Sequence, residues 1–370
     1  MILSRTKTCI VFFTRTNKSH SAYSALYSNS IPNEIYEKEG TNSTLKEPSK
    51  GCKELREKLI KKFANNFATK LGPKDRMNVP PVKLVVDEDR GVRPTAHIKP
   101  FDTPFHLRKP YEQEIRDALA GEVLVPCDKP TKWSSKAFAV PKGTPGKVRI
   151  VADFRNLNKA LKRPVWPTES SGQLLRHIDP DSRVFCSIDA TSGYHQIRVD
   201  KESQELLTIV TQMGRFSYTV TPQGVCSSSD LFNYLTDGKC RFDDTGTLKN
   251  MDDWLIFAPN LEELEKKIVK LMKFCEDKNL KLNPSKLCIG EEVEFGGSII
   301  SAEVVKQEDV IFIAPKSKRI KAFEELRKPT CKKEVQVYCG MLASLQSWYP
   351  NLPLNIPLLR KATAGAGKFS

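Results

Sequence analysis

The sequence predicts an α+β fold, and three observations carry that prediction. Residues 137–154 and 248–258 each read as strand, tight turn, strand, with β-formers on either side of a short turn. Residues 262–278 place Leu264, Ile268, Leu271, Met272 and Cys275 on one face of a helix and lysines on the other. A chain of 370 residues, 39% apolar and 28% charged, has the composition of a globular protein and the length for two or three domains.

Residues 1–49 are rich in Ser, Asn, Thr and Lys without sustained periodicity, and read as a poorly ordered lead-in. From 54 to 71, Leu55, Leu59, Ile60, Phe63, Phe67 and Leu71 recur near helical spacing. The proline-rich stretch from Val79 to Pro110 belongs to strands or connectors, because proline fixes φ and donates no N–H. Residues 111–120 lie between Pro110 and Gly121, the punctuation of a short helix. The first hairpin turns at Gly143-Thr144-Pro145-Gly146. Residues 184–189 are a strand ending in Asp189, and a glycine-containing turn follows, which puts that carboxylate at the lip of a sheet. Residues 228–237 read as a helix. Lys316, Lys318, Arg319, Lys321, Arg327, Lys328, Lys332 and Lys333 crowd a helical region that ends near Trp348.

The chemistry concentrates in carboxylates. Asp252 and Asp253 sit side by side between two apolar runs. Burying adjacent like charges costs free energy unless a cation joins them, so the pair belongs at an exposed hairpin tip. A plain acidic turn is the alternative. If the strands bearing Asp189 and Asp253 are neighbours, three carboxylates meet at one edge. That is enough charge for two Mg²⁺ ions, which clamp the oxygens of an in-line phosphoryl transfer. On the first hairpin, Lys142 and Arg149 either converge as a triphosphate clamp or form a solvated basic face. The net charge of +15 favours a polyanionic partner, nucleic acid or an anionic membrane face. No apolar run approaches the length of a membrane span. Ten cysteines without Cys-x-x-Cys spacing indicate neither a zinc site nor a disulfide framework, and point to a reducing, intracellular setting. Asp244-Thr245-Gly246 spells the aspartic-protease triplet, but no apolar strand leads into it and it reads as a turn.

Several motifs follow one another in a set order. Lys147-Val148-Arg149-Ile150-Val151-Ala152-Asp153-Phe154-Arg155-Asn156-Leu157-Asn158 comes first, then Ile188-Asp189-Ala190-Thr191-Ser192-Gly193-Tyr194-His195-Gln196-Ile197. Gly214-Arg215-Phe216, Pro222-Gln223-Gly224-Val225 and Phe232 precede the double-Asp hairpin. Leu280-Lys281-Leu282-Asn283-Pro284-Ser285-Lys286 and Val293-Glu294-Phe295-Gly296-Gly297-Ser298-Ile299-Ile300-Ser301 come after it. From about Leu71 to Leu359 the chain resembles the reverse transcriptase region of a gypsy-type LTR retrotransposon Pol polyprotein.

The resemblance implies a right-hand polymerase architecture of fingers, palm and thumb, with an antiparallel palm sheet backed by helices. It implies that Asp189, Asp252 and Asp253 are the catalytic, metal-binding carboxylates, with Ala190 offering a backbone carbonyl. Lys142 and Arg149 would hold the phosphates of the incoming nucleotide. Tyr194 would be the steric gate under its sugar, or else a half-buried sheet aromatic, and Gln223 would lie near its 3′ side. Phe295 and Gly297 fall in the primer-grip stretch. Lys316, Lys318 and Arg319 would track the template–primer from the thumb, unless that helix is merely soluble. The implied cofactor is a pair of Mg²⁺ ions, with Mn²⁺ as a substitute. The implied partners are an RNA or DNA template with its primer and a dNTP, with no membrane and an oligomeric state left open. The implied location is intracellular, cytoplasmic in particles or nuclear.

The domains expected are a poorly ordered extension at 1–70, an N-terminal strand and linker with fingers at 71–183, and a palm at 184–308. A small fingers insertion at about 200–220, a thumb at 309–349 and the start of a connection at 350–370 complete them. RNase H, integrase and protease patterns are not found, so polymerase architecture without those activities on the same chain is expected. Three departures stand out: Asn250 holds the place of a usual Tyr, Gly296 holds that of a usual Leu, and residues 222–229 diverge from the commonest gypsy-type wording, although Gln223-Gly224 keeps the pattern of retroviral enzymes. The first removes a packing contact, and the second should weaken a strand. The expected function is an RNA- and DNA-templated DNA polymerase, a reverse transcriptase extending a primer by two-metal nucleotidyl transfer. The alternatives are a catalytically impaired or domesticated palm–thumb fragment that only binds nucleic acid, and an RNA-templated RNA polymerase, which Tyr194 argues against.

Overall fold

The computed structural model describes residues 45–96, 98–239, 245–305, 308–316, 327 and 329–345. In chain order these form α1 (Lys50–Lys62), α2 (Phe105–Ala120), β1 (Leu124–Pro126), β2 (Ser135–Pro141), β3 (Val148–Ala152), α3 (Arg155–Ala160) and α4 (Ser171–Leu174). There follow β4 (Val184–Asp189), α5 (Lys201–Leu206), β5 (Thr208–Thr211), β6 (Gly214–Tyr218), α6 (Ser228–Asn233), β7 (Thr247–Asn250) and β8 (Asp253–Ala258). The last are α7 (Leu261–Asp277), β9 (Cys288–Gly290), β10 (Glu292–Phe295), β11 (Ser298–Val305), β12 (Glu308–Pro315) and α8 (Lys332–Leu345).

Three sheets are built from these strands. The first has the order β1-β6-β5-β2-β3, the second β7-β8-β4-β9 and the third β10-β11-β12. The second is antiparallel throughout and positions the site. Side chains alternate across it, as strand geometry requires. Cys186, Ile188, Trp254 and Ile256 go to one side, into a core shared with α1 and α7. Phe185, Leu255 and Phe257 go to the other side, into a core shared with α4 and the third sheet. Because both faces are covered, β4 is apolar along almost its whole length and only its last residue is a carboxylate. The first sheet has its own core, into which α2 sends Tyr111 and Ile115.

The helix read at 262–278 forms at Leu261–Asp277. Asn260 caps it by accepting the Glu263 N–H at 2.9 Å. The five residues assigned to its apolar face are all fully buried.

Other expectations need correcting. Residues 50–68 are not a loose lead-in. Cys52, Leu55 and Leu59 of α1 are in the core, and the Thr191 hydroxyl donates to the Ala68 carbonyl at 2.6 Å. The helical spacing does not continue to Leu71, because the helix closes at Phe63 and Phe67 bridges to Leu282. Helix α2 starts at Phe105, with Pro110 inside it, so the proline did not mark its start. Residues 309–315 are not part of a helical thumb, since β12 pairs with β11 along its full length. Among the described residues no helix is long and apolar enough to cross a membrane.

Candidate active site

Asp189 ends β4, Asp253 begins β8, and the two are paired directly across the ladder. Directly opposed residues share a face, with Cβ atoms about 5 Å apart. Asp252 precedes Asp253 in the turn, and its carbonyl accepts the Ala190 N–H at 2.9 Å. Asp189, Asp252 and Asp253 therefore lie at one sheet edge, at a partly exposed tip. The electrostatics agree. Burial pushes the Asp253 carboxyl up to about 6, with Asp252 and Asp189 adding to the shift. Burial also raises Asp189, opposed by Lys286 and reinforced by Asp252. Lys286 and Lys316 are the cations that oppose the rise at Asp253.

This donor set suits a hard divalent cation. The carboxylates resist ionising together, and a bound cation would remove that resistance. Among the described residues no group of three His, Cys, Asp or Glu side chains is close enough to hold a metal by itself. Mg²⁺ does not ask for that, because it keeps waters and uses substrate phosphates.

The hairpin turn is Met251-Asp252, between the paired residues Asn250 and Asp253. Met251 has φ +58°, a left-handed conformation uncommon for a residue with a side chain. Asn250 shares a face with Asp253, and its Nδ2 donates to the Ser171 hydroxyl at 2.9 Å. The other departure lies at the same place. Gly296 and Gly297, at φ +55° and +84°, are the two-residue turn between the paired Phe295 and Ser298. A Cβ on Gly296 would lie 3.0 Å from Ser171 Cβ and 3.5 Å from Asn250 Nδ2. Gly296 is thus a turn residue and not a weakened strand, and Asn250 has exchanged a packing contact for a hydrogen bond.

Tyr194 lies on a 3-10 turn, Gly193–Gln196, rather than on a sheet. It is half-buried, edge-on to Phe232 at 5.9 Å. Burial raises its phenol, and the charges of Asp252 and Asp253 raise it further. Gly193 sits tightly there, since a Cβ would press on the Phe232 ring at 3.1 Å and Ala190 Cβ at 3.3 Å. Ala190 itself is buried.

Val140 faces Arg149 across the β2–β3 ladder, so Lys142, two residues on, shares a face with Arg149. Arg149 is exposed, while the Lys142 ammonium is paired with Glu114 at 3.1 Å. Gln223 is exposed in the loop before α6, which Asn158 ties down by donating to the Gly224 carbonyl at 2.8 Å and accepting the Cys226 N–H at 2.9 Å. Phe295 is buried in the core, and Lys316 pairs with Glu294 at 2.5 Å. Lys318 and Arg319 lie outside the described residues, as does Asp244, while Gly246 takes φ +95° in the turn that leads into β7. Sequence reasoning did not single out Lys286, Ser171, Asn233 or Lys249. Lys286 and Lys249 stood inside stretches already read as motifs; Ser171 and Asn233 are revealed by their partners.

Residues 140–300 match the family described as "Reverse transcriptase (RNA-dependent DNA polymerase)". The chain is 26% identical over 233 residues to the "Retrovirus-related Pol polyprotein from transposon gypsy" of Drosophila melanogaster, covering 62% of this chain and 21% of that protein. It is 29% identical over 225 residues to the "Transposon Tf2-3 polyprotein" of Schizosaccharomyces pombe, covering 58% of this chain and 16% of that protein. The chain thus spans about a fifth of the length of such polyproteins. Among solved structures, the foamy viral protease-reverse transcriptase in complex with RNA/DNA hybrid superposes with a TM-score of 0.68 at 18% identity, over 90% of this chain and 45% of that one. A dRH form in complex with ds DNA gives 0.70 at 20% identity, over 90% and 59%. The fold is therefore the right-hand polymerase fold of those structures. Residues 140–300 are a reverse transcriptase domain of the kind carried by gypsy-type retrotransposon Pol polyproteins.

Proposed function

We propose that this chain is an RNA- and DNA-templated DNA polymerase that extends a primer at Asp189, Asp252 and Asp253. The observation that carries the reading is the register pairing Asp189 with Asp253, with Asp252 beside them. These carboxylates are the residues to hold Mg²⁺, or Mn²⁺ in its place. When bound, two such ions would supply Lewis-acid stabilisation of the charge that develops as the primer hydroxyl displaces pyrophosphate.

The chain's own groups do the rest by placement, which is most of what phosphoryl transfer asks of a protein. Tyr194, half-buried against Phe232, would stand under the sugar, where it would crowd a 2′-hydroxyl and favour dNTP over rNTP. Arg149 and Lys142 offer cations on one face for the triphosphate. Lys142 must first leave Glu114, and a part-exposed ion pair of that kind is worth at most about 1 kcal/mol. With Phe295 buried, the glycine hairpin would meet a primer through the backbone at Gly296 and Gly297. The foamy viral relatives of this fold hold RNA/DNA hybrid and ds DNA, and the charge of +15 suits a partner of that class.

The binding-only alternative rested on Asn250, Gly296 and the RNase H pattern that is not found. Asn250 donates to Ser171 and Gly296 is a positive-φ turn residue, so neither of these two departures favours it. Primer extension on poly(rA)/oligo(dT) with Mg²⁺ or Mn²⁺ tests the proposal. Wild type is expected to incorporate dTTP, and Asp252→Asn to lose at least about 100-fold in rate. Equal incorporation by the two proteins would refute the assignment.

A further inference from the structure

We propose that Lys249 and Asn233 are positioning residues, whose buried bridge holds the Met251-Asp252 turn in the shape that aims the carboxylates. The inference rests on reading that turn as a polymerase site. Lys249 is the residue before Asn250 and pairs with Trp254 across the hairpin. Paired residues share a face, so Lys249 points away from Asn250 and toward α6. Its side chain is 10% exposed, and its ammonium lies 5.2 Å from the Phe232 ring centre and 5.8 Å from that of Trp254. An ammonium that deep needs partners. It donates to Asn233 Oδ1 at 2.6 Å and pairs with Asp237 at 3.4 Å. Asp237 comes within reach where α6 continues as a π-helix, Tyr234–Lys239, a wide turn often found at functional sites.

Asn233 is fully used. It is 2% exposed, and while Oδ1 accepts from Lys249, Nδ2 reaches Thr168 Oγ1 at 3.1 Å and Met251 Sδ at 3.8 Å. One carboxamide therefore touches β7, the turn residue at φ +58° and the connector ahead of α4. Asp252 follows Met251 directly and is tied to Ala190, beside Asp189. Loosening Met251 would let the turn relax toward ordinary φ and carry Asp252 away from its neighbour.

Asn233→Leu and Lys249→Met keep volume and remove the bridge. Each is expected to lower kcat for primer extension about 10- to 100-fold, with KM for dNTP within about threefold of wild type. Glycine takes positive φ freely, so Met251→Gly added to Asn233→Leu should bring kcat back to within about threefold of Met251→Gly alone. A purely structural role would not predict that rescue. Mn²⁺ titration followed by electron paramagnetic resonance reads the carboxylates without turnover. Asn233→Leu should weaken binding about tenfold, with Asp252→Asn as the reference. If Lys249→Met does not fold, Asn233→Asp carries the same test, because it keeps the acceptor for Lys249 and loses the donor to Met251. Wild type that binds Mn²⁺ but incorporates nothing removes the polymerase reading, and the Mn²⁺ comparison then decides the positioning role. Wild type that does neither overturns both. Unchanged kcat and Mn²⁺ affinity in the variants, or a loss that Met251→Gly does not restore, overturns the proposal.

Discussion

Asn250, Ser171 and Gly296 come from three separate stretches of chain and fill one small space. A side chain at 296 would press on Ser171, and Asn250 donates to the hydroxyl of the same residue, so these two departures meet at Ser171. A double-mutant cycle tests the Asn250–Ser171 bond. Asn250→Ala and Ser171→Ala should each cost about 1 kcal/mol, the usual net worth of such a hydrogen bond. The double variant should cost little more than either single one, and strict additivity would count against the contact. His195 carries a second prediction at this scale. Its ring packs against Tyr218 at 6.2 Å, and burial, with the charges of Arg76 and Lys142, pushes it down to about 4 from 6.5. The neutral form is favoured in the fold, so its contribution is whole above pH 6.5 and is lost as pH falls toward 4. Between pH 7 and pH 5 the loss is about 2 kcal/mol. Solvent reaches part of the residue, so that figure is an upper one. Urea midpoints at the two pH values should show a smaller acid loss in His195→Gln than in wild type, and equal losses would discount the ring.

Elements differ in how far they can be read from sequence. Helix α7 was legible because everything that makes it is local: an Asn cap, acids in the first turn and five apolar residues on one face. The Leu248–Ala258 hairpin was legible for the same reason, since two β-rich runs flank a tight turn. Lys249 was not, because what buries it is Trp254 across the ladder and Phe232 and Asn233 on α6. Strand β12 was taken for thumb because nothing local distinguishes an apolar run bound for β11 from the lead into a helix. The β10–β11 turn shows how a local rule misfires, since glycine weakens a strand but suits a two-residue turn with positive φ. Gly296→Ala should therefore destabilise the fold by about 1–2 kcal/mol, from the φ +55° conformation and the Ser171 contact together. Thermal unfolding would check it; a stability gain, as expected for glycine replaced within a strand, would refute the turn account.

For the whole molecule, the charge of +15 is the broadest signal and the least local. Carboxylates at one edge attract divalent cations and repel a phosphate backbone, so a polymerase needs excess positive charge elsewhere to bind its template. At the edge itself Lys286 and Lys316 offset Asp253. If the protein holds a primer–template duplex by neutralising about six phosphates, counterion release sets the salt dependence. Affinity should then fall about 1,000-fold between 50 and 200 mM salt, with little change between duplex sequences. Fluorescence anisotropy with a labelled RNA/DNA hybrid measures both quantities. If Lys286 neutralises one of those phosphates, Lys286→Gln should reduce the slope by about one counterion without changing sequence preference. A flat salt response would mean that the positive charge serves something other than nucleic acid. The Asp189–Asp252–Asp253 edge would then lack the partner that its chemistry requires.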